Sequence, residues 1–325
     1  MRALVVLAIL PGCGLGLADD TSGGRVDLPS TGAGPFKRLA SDATTPADEP
    51  WLLIDPILEV TEPALATRDG GGLLTWVTRE SAELPVGDTE IWFAELPALR
   101  DVASFAPAVT ADRPWEDGHV GGPAIVALPD RLVMFYAGGD DIGRAESTDG
   151  GRTWIKRAEP VLTEATSPGA AFDGSEWLIA FTLPGDPIAS AAAGIGLARS
   201  TDGVTFTRDP APILLPRTAA APKVFDRTAI VAPSLAWIVE GTGRGHWALW
   251  YAGLARFPAV GDAPSFAIGY AGSFDGVAWQ RINGDRPLVF APAGAPAVVV
   301  DDNHAVMAYE APNGRRFGVG LAATP

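Results

Sequence analysis

A five-fold repeat is the feature of this sequence that most restricts its fold. Each copy contains an apolar run introduced by one residue and a proline, and neighbouring copies are 45 to 65 residues apart. The five dipeptides are Glu62-Pro63, Gly122-Pro123, Ser167-Pro168, Ala232-Pro233 and Ala295-Pro296. Two further apolar runs follow in every copy, and a fourth run with an aromatic residue follows in the first four copies. Self-similarity of this kind predicts a repeat architecture.

The runs have the composition of β-strands. They are short, rich in Val, Ile, Trp, Phe and Tyr, and separated by Gly, Asp or Pro, and none keeps a 3.6-residue period long enough for a helix. The 38 glycines and 29 prolines fit many short elements joined by turns. Four strands per copy, repeated radially, predict an all-β, five-bladed β-propeller with four-stranded antiparallel blades.

The ring should be closed by a strand from the N-terminal side. The fifth copy reaches the end of the chain, Pro325, after its third strand, and an unpaired sheet edge would remain exposed without a partner. Two segments are suitable, Gly34–Leu39 and Pro50–Leu58, and the sequence does not decide between them. The propeller is predicted over residues 35–325.

The first 34 residues resemble an export signal and a tether. Residues 1–18 contain a positive start, Met1-Arg2, and an unbroken apolar run, Ala3–Leu10, as in a signal peptide. Cys13 stands where the lipobox of bacterial lipoproteins has its lipidated cysteine, whereas the small residues before Ala18 fit ordinary cleavage and secretion. Both alternatives predict export, and a lipid would attach the protein to the cell envelope without a spanning helix. Residues 19–34 have the composition of a flexible tether.

Charge and composition limit the partners. The net charge of −15 and the pI of about 4.6 disfavour nucleic acid, whose phosphates would be repelled, and fit neutral or cationic ligands better. Three histidines and one cysteine leave little material for a metal centre or a disulfide framework. We therefore expect no metal, no cofactor, no membrane contact except through a lipid anchor, and a monomer.

An Asp-Gly element occurs three times between the third and fourth strands. Its fullest copy, Ser147-x-Asp149-x-Gly151-x-Thr153-Trp154, resembles the Asp-box of sialidases, and Asp202 and Asp275 lie in two looser copies. An Asp side chain can accept hydrogen bonds from the amides of its own turn, and the glycine allows positive φ. Because a catalytic group need not recur in three blades at the same turn, the sequence predicts a structural role.

Topology divides the acids between two faces of the ring. In an antiparallel meander the turns after strands one and three lie at the same end. The acids after strand one therefore share a face with the Asp-Gly turns: Asp69, Asp130, Asp173, Glu240, Asp301 and Asp302. The opposite face should hold Glu62, Arg79, Glu80, Trp115, Glu116, Asp117, His119, Asp140, Asp141, Asp186, Asp226, Arg227, Asp262 and Glu310.

Two residues on this second face stand out. Glu62 is the only acid among the five pre-proline positions, and we expect it to project into the central pocket. Trp115 could stack on a sugar, with nearby acids taking the hydroxyl groups, or it could fill a gap between blades.

Two motifs, "IGYAGSFDGVAW" (Ile268–Trp279) and "GP-x-x-V…MFYAGG" (Gly122–Gly139), accompany the five-fold repeat. Together they resemble the five-bladed glycoside hydrolases of the arabinanase, levansucrase and invertase type, families 43 and 32, and related phosphorylases. The resemblance covers roughly residues 50–325. It implies three carboxylates from different blades: a base or nucleophile, a general acid, and a group that tunes the acid.

The resemblance implies roles for particular residues. Glu62 stands in place of the usual Asp as base or nucleophile, and Glu116 or Asp226 would be the acid. Asp117 and Glu310 are further candidates for the second acid. The residues implied in substrate binding are Trp115, Asp117, His119, Asp141, Arg227 and Glu310.

This sequence departs from the family pattern at four of the five pre-proline positions, where Gly, Ser, Ala and Ala cannot transfer a proton. Two hypotheses follow. The first is an exported glycoside hydrolase with two carboxyl groups across the glycosidic bond, about 5–5.5 Å apart for retention or 6.5–9.5 Å for inversion. The second is a non-catalytic cell-surface propeller that binds glycan or protein.

Overall fold

The computed structural model describes residues 33–39, 59–68, 72–80, 88–97, 102–183, 193–218, 224–239, 243–256, 265–289, 291–300, 304–313 and 316–324. The signal-peptide prediction, with Cys13 and Ala18, lies outside the described residues. So do Pro50–Leu58 and six of the acids assigned to a face: Asp69, Asp186, Glu240, Asp262, Asp301 and Asp302.

Within the described ranges, twenty strands form five four-stranded antiparallel sheets, and the prediction of a five-bladed propeller is confirmed. The first strand along the chain is β1 (Lys37–Leu39). Blade one contains β2 (Val60–Thr67), β3 (Leu73–Glu80), β4 (Thr89–Leu96) and β5 (Ser104–Val109). Blade two contains β6 (Val120–Ala127), β7 (Leu132–Gly138), β8 (Asp141–Ser147) and β9 (Ile155–Lys156). A single turn of 3-10 helix, Pro114–Glu116, precedes blade two.

Blade three contains β10 (Thr166–Phe172), β11 (Trp177–Thr182), β12 (Ile195–Ser200) and β13 (Thr207–Arg208). Blade four contains β14 (Ala229–Val239), β15 (Gly245–Leu254), β16 (Phe266–Ser273) and β17 (Gln280–Arg281). Blade five contains β18 (Gly294–Val300), β19 (Ala305–Asn313) and β20 (Arg316–Ala323), and its fourth strand is β1.

The closing strand comes from the first of the two suitable segments. β1 pairs with β20 in antiparallel register, with Lys37 opposite Ala323 and Leu39 opposite Leu321. The outer edge of β20 is therefore covered, as the sequence predicted, and the first and last described strands of the chain share one sheet.

A β-bulge recurs at the start of every inner strand. Each pre-proline residue has positive φ: Glu62 at 46°, Gly122 at 52°, Ser167 at 46°, Ala232 at 49° and Ala295 at 37°. The pairing register to the second strand shifts at the same point in all five blades. A bulge re-aims the side chain that it carries. All five residues consequently line the channel along the propeller axis.

Aromatic rings stacked on glycines explain the repeated Ile-Gly or Val-Gly pair of the third strands. A Cβ on Gly143 would lie 2.4 Å from Cζ of Tyr136, and one on Gly269 would lie 2.5 Å from Cζ of Tyr251. The same pairing joins Gly196 to Phe181 and Gly320 to Tyr309. Only glycine lets the ring of the second strand lie this close to the third strand, so these positions are set by packing.

Neighbouring blades are joined by buried aromatic side chains. Trp76 of blade one is fully buried and packs edge-on against Trp154 of blade two, with ring centroids 6.0 Å apart. Its Nε1 donates to the carbonyl of Gly151, at 3.1 Å, and Trp154 Nε1 donates to the same carbonyl at 2.9 Å. Burying one such side chain contributes about 1.5–3 kcal/mol. The turn around Gly151 is therefore part of the blade-to-blade contact.

The three Asp-Gly turns are held by their own aspartates. Asp149 Oδ1 accepts hydrogen bonds from the amides of Arg152 and Thr153 at 3.1 and 3.0 Å, and from Ser147 Oγ at 2.8 Å. Asp202 and Asp275 accept equivalent bonds from amides two and three residues later. These contacts are those of a structural turn.

The turns and the pre-proline residues lie at opposite ends of the blades. Ala127, Leu132 and Ser147 are paired at the end that carries the Asp149 turn. Val120, Gly138 and Asp141 are paired at the other end. Glu62 lies near the start of β2, opposite the end of β3, and so belongs to the second face.

Candidate functional site

The five inner strands surround a channel along the propeller axis. Its volume is about 60 Å³, and it is lined by the five pre-proline residues, their prolines and side chains such as Leu65, Ile125 and Leu235. Of the five pre-proline residues only Glu62 carries a charge. The prediction that Glu62 is directed towards the axis agrees with this lining.

A second cavity opens beside Glu62, between blades one and two. It has a volume of about 270 Å³, and we call it the mouth pocket. Its lining combines acids, hydroxyl groups, an imidazole and small residues: Glu59, Thr61, Glu62, Thr78, Glu80, Thr89, His119, Gly121, Ala137 and Gly139. Such a concave surface with several polar groups is suited to binding a small polar ligand.

Glu62 is fixed against the wall of this pocket. Its Oε2 accepts hydrogen bonds from Thr78 Oγ1 and from the amide of Gly122, both at 2.9 Å. Burial raises the pKa of the Glu62 carboxyl, and these two bonds oppose the rise. A Cβ on Gly121 would lie 3.1 Å from Oε2 and 2.9 Å from Thr78 Oγ1. The glycine therefore leaves the space that the carboxylate occupies.

Glu310 lies next to Glu62 across the interface between blades five and one. It is half-buried in β19, and its carboxyl accepts a hydrogen bond from the backbone N–H of Glu62. Burial, followed by repulsion from Glu62 and Glu59, raises the pKa of Glu310 to about 7. This carboxyl therefore keeps its proton to a higher pH than an ordinary glutamate does.

Glu116 is fully buried and its oxygens are already occupied. Oε2 accepts from the amides of Asp112 and Arg113 at 2.8 and 2.9 Å, and Oε1 accepts from the Tyr136 hydroxyl at 2.8 Å. Lys156 Nζ contacts both oxygens, at 2.7 and 2.8 Å. These bonds tie the loop before blade two to its second and fourth strands. The lining of the mouth pocket does not include Glu116.

Asp226 makes the same kind of network in blade four. It is fully buried and accepts hydrogen bonds from Arg217 at 2.6 Å, Arg281 at 2.8 Å and the Tyr251 hydroxyl at 2.9 Å. Tyr251 occupies in β15 the position that Tyr136 occupies in β7, and Arg281 occupies in β17 that of Lys156 in β9. Glu116 and Asp226 are thus equivalent anchors, one in each of two blades.

Trp115 packs against its own blade. Its ring stacks on Tyr136 with centroids 6.0 Å apart, and its Nε1 donates to the carbonyl of Ala158 at 2.9 Å. Phe225 stacks on Tyr251 in the same manner at 6.1 Å. This geometry matches the alternative in which Trp115 fills a gap, although the side chain remains half-buried.

The other predicted binding residues are distributed unevenly. His119 is exposed and lines the mouth pocket with Glu62. Asp117 is exposed and ends the 3-10 helix in a left-handed conformation. Asp141 accepts a hydrogen bond from the amide of Glu164 at 3.0 Å, and Arg227 is half-buried in the loop before β14. Neither of these last two residues lines the mouth pocket.

Thr78 and Glu59 are among the residues of the site that sequence reasoning missed. Thr78 lies opposite Thr61 in the β2–β3 register, which places its hydroxyl beside the bulge at Glu62. The sequence gives little indication of Thr78, because its position beside Glu62 follows only when the extra residue of the bulge is included in the pairing of β2 with β3. Glu59 immediately precedes β2 and lines the mouth pocket with Glu80.

The described residues offer neither a metal centre nor a spanning helix. No group of three or more His, Cys, Asp or Glu side chains in them has the geometry to hold a metal ion. No helix in the same ranges has the length and apolar character needed to cross a membrane.

No family model matches this chain, and no curated protein is significantly similar to it in sequence. Solved structures are similar in fold. The structure of BT0996 in an RGII complex is 18% identical, with a TM-score of 0.63 over 83% of this chain and 88% of that one. A thermostable family-43 glycoside hydrolase is 14% identical, with a TM-score of 0.58 over 83% and 90% of the two chains.

A phosphorylase shares the same architecture. The β-1,2-mannobiose phosphorylase from Listeria innocua, in complex with β-1,2-mannobiose, is 11% identical. Its TM-score is 0.61 over 83% of this chain and 92% of that one. This chain therefore has the five-bladed propeller fold seen in family-43-like glycoside hydrolases.

Proposed function

We propose that the protein binds carbohydrate in the mouth pocket of a glycoside-hydrolase-like propeller. The observation that carries this proposal is the placement of Glu62, the one acid among five equivalent axial positions, at the wall of a concave cavity that also contains several polar side chains. The two hydrogen bonds that fix its side chain both end at Oε2. Oε1 can then accept a hydrogen bond from a sugar hydroxyl, and the lining threonines and His119 offer further polar contacts.

The comparisons support a carbohydrate ligand. The similar structures include glycoside hydrolases and a mannobiose phosphorylase in complex with its sugar. The net charge of −15 fits a neutral or cationic saccharide better than an acidic one. A protein ligand at the same pocket is the alternative. A glycan array distinguishes the two, because only carbohydrate binding predicts that glycans are retained.

The test of binding compares three forms of the protein on a glycan array and by calorimetry. We expect the wild type to retain a defined set of glycans and Glu62→Gln to bind them at least tenfold more weakly. Asp130→Asn is the matched control, because Asp130 is an exposed acid on the opposite face. Equal binding by Glu62→Gln and the control would contradict the proposed site, and retention of no glycan would contradict the ligand class.

Glycoside hydrolysis is the second candidate. It is favoured by the raised pKa of Glu310 beside Glu62, because general acid catalysis needs a carboxyl that holds its proton near neutral pH. The carboxylates that the sequence favoured as the acid, Glu116 and Asp226, are instead saturated by hydrogen bonds from basic side chains and tyrosine hydroxyl groups. The pair left for this candidate is Glu62 with Glu310, of which only Glu62 lines the mouth pocket.

Chromogenic arabinosides, xylosides, fructosides and mannosides separate the two candidates. If the protein is a hydrolase, at least one of these glycosides releases its chromophore. Glu62→Gln and Glu310→Gln should then each reduce turnover by at least about a hundredfold, as expected when a catalytic acid or base is removed. If the array identifies a bound glycan whose chromogenic form is not cleaved, the protein is a binding module.

We also propose export, with lipidation at Cys13. Labelling with a palmitate analogue in a bacterial host tests it, since Cys13→Ser should lose the label. Secretion without a lipid would instead give a mature N-terminus at Asp19 in both forms.

A further inference from the structure

A hydrogen bond from one blade to the next recurs at the pre-proline bulges. In the interface between blades one and two, the amide of Gly122 donates to Thr78 Oγ1 at 2.9 Å. Between blades three and four, the amide of Ala232 donates to Thr182 Oγ1 at 3.0 Å. Both threonines lie in second strands, opposite the residue that precedes the bulge of their own blade. The acceptor position is therefore the same in the two blades.

Glu310 occupies this position in blade five. It lies opposite Gly294, the residue before the bulge at Ala295, and it accepts the backbone N–H of Glu62 in blade one. A carboxyl thus stands where two other blades use a neutral hydroxyl. In blades two and four the position is held by Ala137 and Ala252, which have no side-chain acceptor.

We propose that Glu310 is a positioning residue for Glu62, holding its backbone across the closing interface of the ring so that its side chain reaches the mouth pocket. The bulge gives Glu62 a φ of 46°, a conformation that L-residues rarely adopt. An acceptor fixed on the neighbouring blade stabilises this conformation. The Glu62 carboxylate in turn accepts hydrogen bonds from Thr78 Oγ1 and from the amide of Gly122, at the interface between blades one and two.

The same arrangement makes the interface sensitive to pH. The charged groups that face Glu310 are Glu62 and Glu59, both from blade one. Its partners in the flanking strands, Gly294 of β18 and Val319 of β20, are uncharged. A neutral Glu310 accepts the N–H without repelling Glu62, whereas an ionised Glu310 accepts the N–H more strongly but repels the Glu62 carboxylate. Burial and the two nearby carboxylates raise the pKa of Glu310 to about 7, which puts this change near neutral pH.

Amide NMR and hydrogen exchange on the full chain test the positioning role without any ligand. In the wild type, the Glu62 amide resonance should move with a midpoint near pH 7 as Glu310 titrates. Glu310→Gln should keep the protection of this amide but lose the pH step. Glu310→Ala should lower the protection about fivefold, which corresponds to a net hydrogen-bond contribution of about 1 kcal/mol.

Thr182→Val is the matched control, because it removes the equivalent acceptor between blades three and four. It should lower the protection of the Ala232 amide and leave the Glu62 amide unchanged. A melting temperature measured on every variant separates these local effects from unfolding. If Glu310→Ala leaves the protection of the Glu62 amide unchanged, or if the wild type shows no pH step that Glu310→Gln removes, the inference is overturned.

The consequence for ligand binding rests on the proposed function. For a glycan identified on the array, Glu310→Ala should weaken binding at least fivefold relative to wild type, whereas the matched control Thr182→Val should leave the affinity unchanged. Absence of glycan binding in every form would contradict the proposed function alone, because the amide measurements would still report the positioning of Glu62. Equal affinity of Glu310→Ala and wild type would contradict the consequence of the inference for the site.

Discussion

Single residues at the axis differ sharply although their backbones are the same. Ser167 and Glu62 share a φ of 46° and precede proline in equivalent bulges. Only Glu62 has a carboxyl to place, and only there does the preceding blade supply a second carboxyl, from Glu310. The chemistry of the site therefore depends on two side chains and not on the backbone that carries them.

At this scale the first prediction concerns stability and pH. The pKa of Glu310 in the folded protein, about 7, lies above its ordinary value of 4.5. Its contribution to stability is therefore complete below about pH 4.5 and is lost as the pH rises through 7. Glu310→Gln cannot ionise. We expect its melting temperature, relative to wild type, to rise by at least about 2 °C between pH 5 and pH 8, the shift that about 1 kcal/mol produces.

Thermal scans of both proteins at the two pH values measure this difference. Asp130→Asn, whose exposed carboxyl lies on the other face, should show the same difference from wild type at both values. A Glu310→Gln variant that behaves like this control would show that Glu310 titrates normally.

A second prediction concerns the space beside Glu62. Gly121→Ala would put a methyl group 3.1 Å from Glu62 Oε2 and 2.9 Å from Thr78 Oγ1, which is too close for an undisturbed carboxylate. We expect binding of any glycan found on the array to fall at least fivefold. Gly174→Ala separates a clash from backbone strain, because nothing lies within 4 Å of its added Cβ while its φ of 102° strains an alanine. Unchanged binding by Gly121→Ala would show that Glu62 need not keep this position.

The Asp-Gly turns and the buried anchors act at the scale of the element. Each Asp-Gly turn links the third and fourth strands of its blade, and Glu116 links a loop to the second and fourth strands. The sequence predicted the turns correctly, because an Asp and the amides it binds are neighbours in the chain. It could not predict the anchors, because Lys156 lies 40 residues after Glu116 and Arg281 lies 55 residues after Asp226. Because their partners are distant in sequence, Glu116 and Asp226 both resembled carboxylates free to act as the catalytic acid.

At this scale we predict that Asp149→Ala lowers stability and spares function. Several hydrogen bonds within the turn would be lost, which should cost about 1–2 kcal/mol at pH 7. Although partial burial opposes it, bonds from Thr153, Ser147 and Arg152 hold the pKa of Asp149 at about 2, below its ordinary 3.8. The contribution of this carboxylate is therefore present above about pH 4 and lost as the pH falls through 2.

Urea unfolding at pH 7 and pH 3 measures the effect, and the difference between variant and wild type should shrink at the lower pH. Val204, which follows Asp202 in a second turn, offers the control Val204→Ala, which leaves the aspartate bonds intact. A loss of glycan binding at full stability in Asp149→Ala would contradict a structural role.

A further prediction at this scale distinguishes an anchor from a catalytic acid. Glu116→Gln leaves the buried ammonium of Lys156 with only Asp112 as a charged partner, and breaking a buried ion pair costs about 3 kcal/mol or more. We expect a large fall in the free energy of unfolding, measured in urea, and partial recovery in the double variant Glu116→Gln/Lys156→Met. Wild-type stability in the single variant would contradict this assignment.

The whole molecule is closed by β1, which joins the N-terminal side of the chain to the last strand. The sequence predicted the five blades, their strand order and the need for this closure, because apolar runs and turn residues record strand ends directly. It did not decide which of two segments closes the ring, since both are suitable in composition and only pairing distinguishes them. Nor did it place Glu310 beside Glu62, because that contact exists only once the fifth blade meets the first.

At the scale of the whole molecule we predict that a variant starting at Thr45, which lacks β1, melts at least about 5 °C below one starting at Ala33. The loss exposes the edge of β20 and removes Arg38, whose guanidinium lies 5.4 Å from the ring centroid of Tyr309 in blade five. Calorimetry of the two truncated proteins measures the difference, and light scattering should show association of the form with the open edge. Equal melting temperatures would show that another segment covers β20.

The repeated bulge has a consequence for how such a molecule can change over generations. Gly, Ser, Ala and Glu all occupy the same left-handed slot before proline, so the scaffold accepts very different groups there without altering its strand pairing. An acid substituted at Ser167 or Ala232 would have nearly the same backbone conformation as Glu62 has now. The pre-proline position is therefore one at which the side chain facing the axis can change while the pairing of the inner strand is kept.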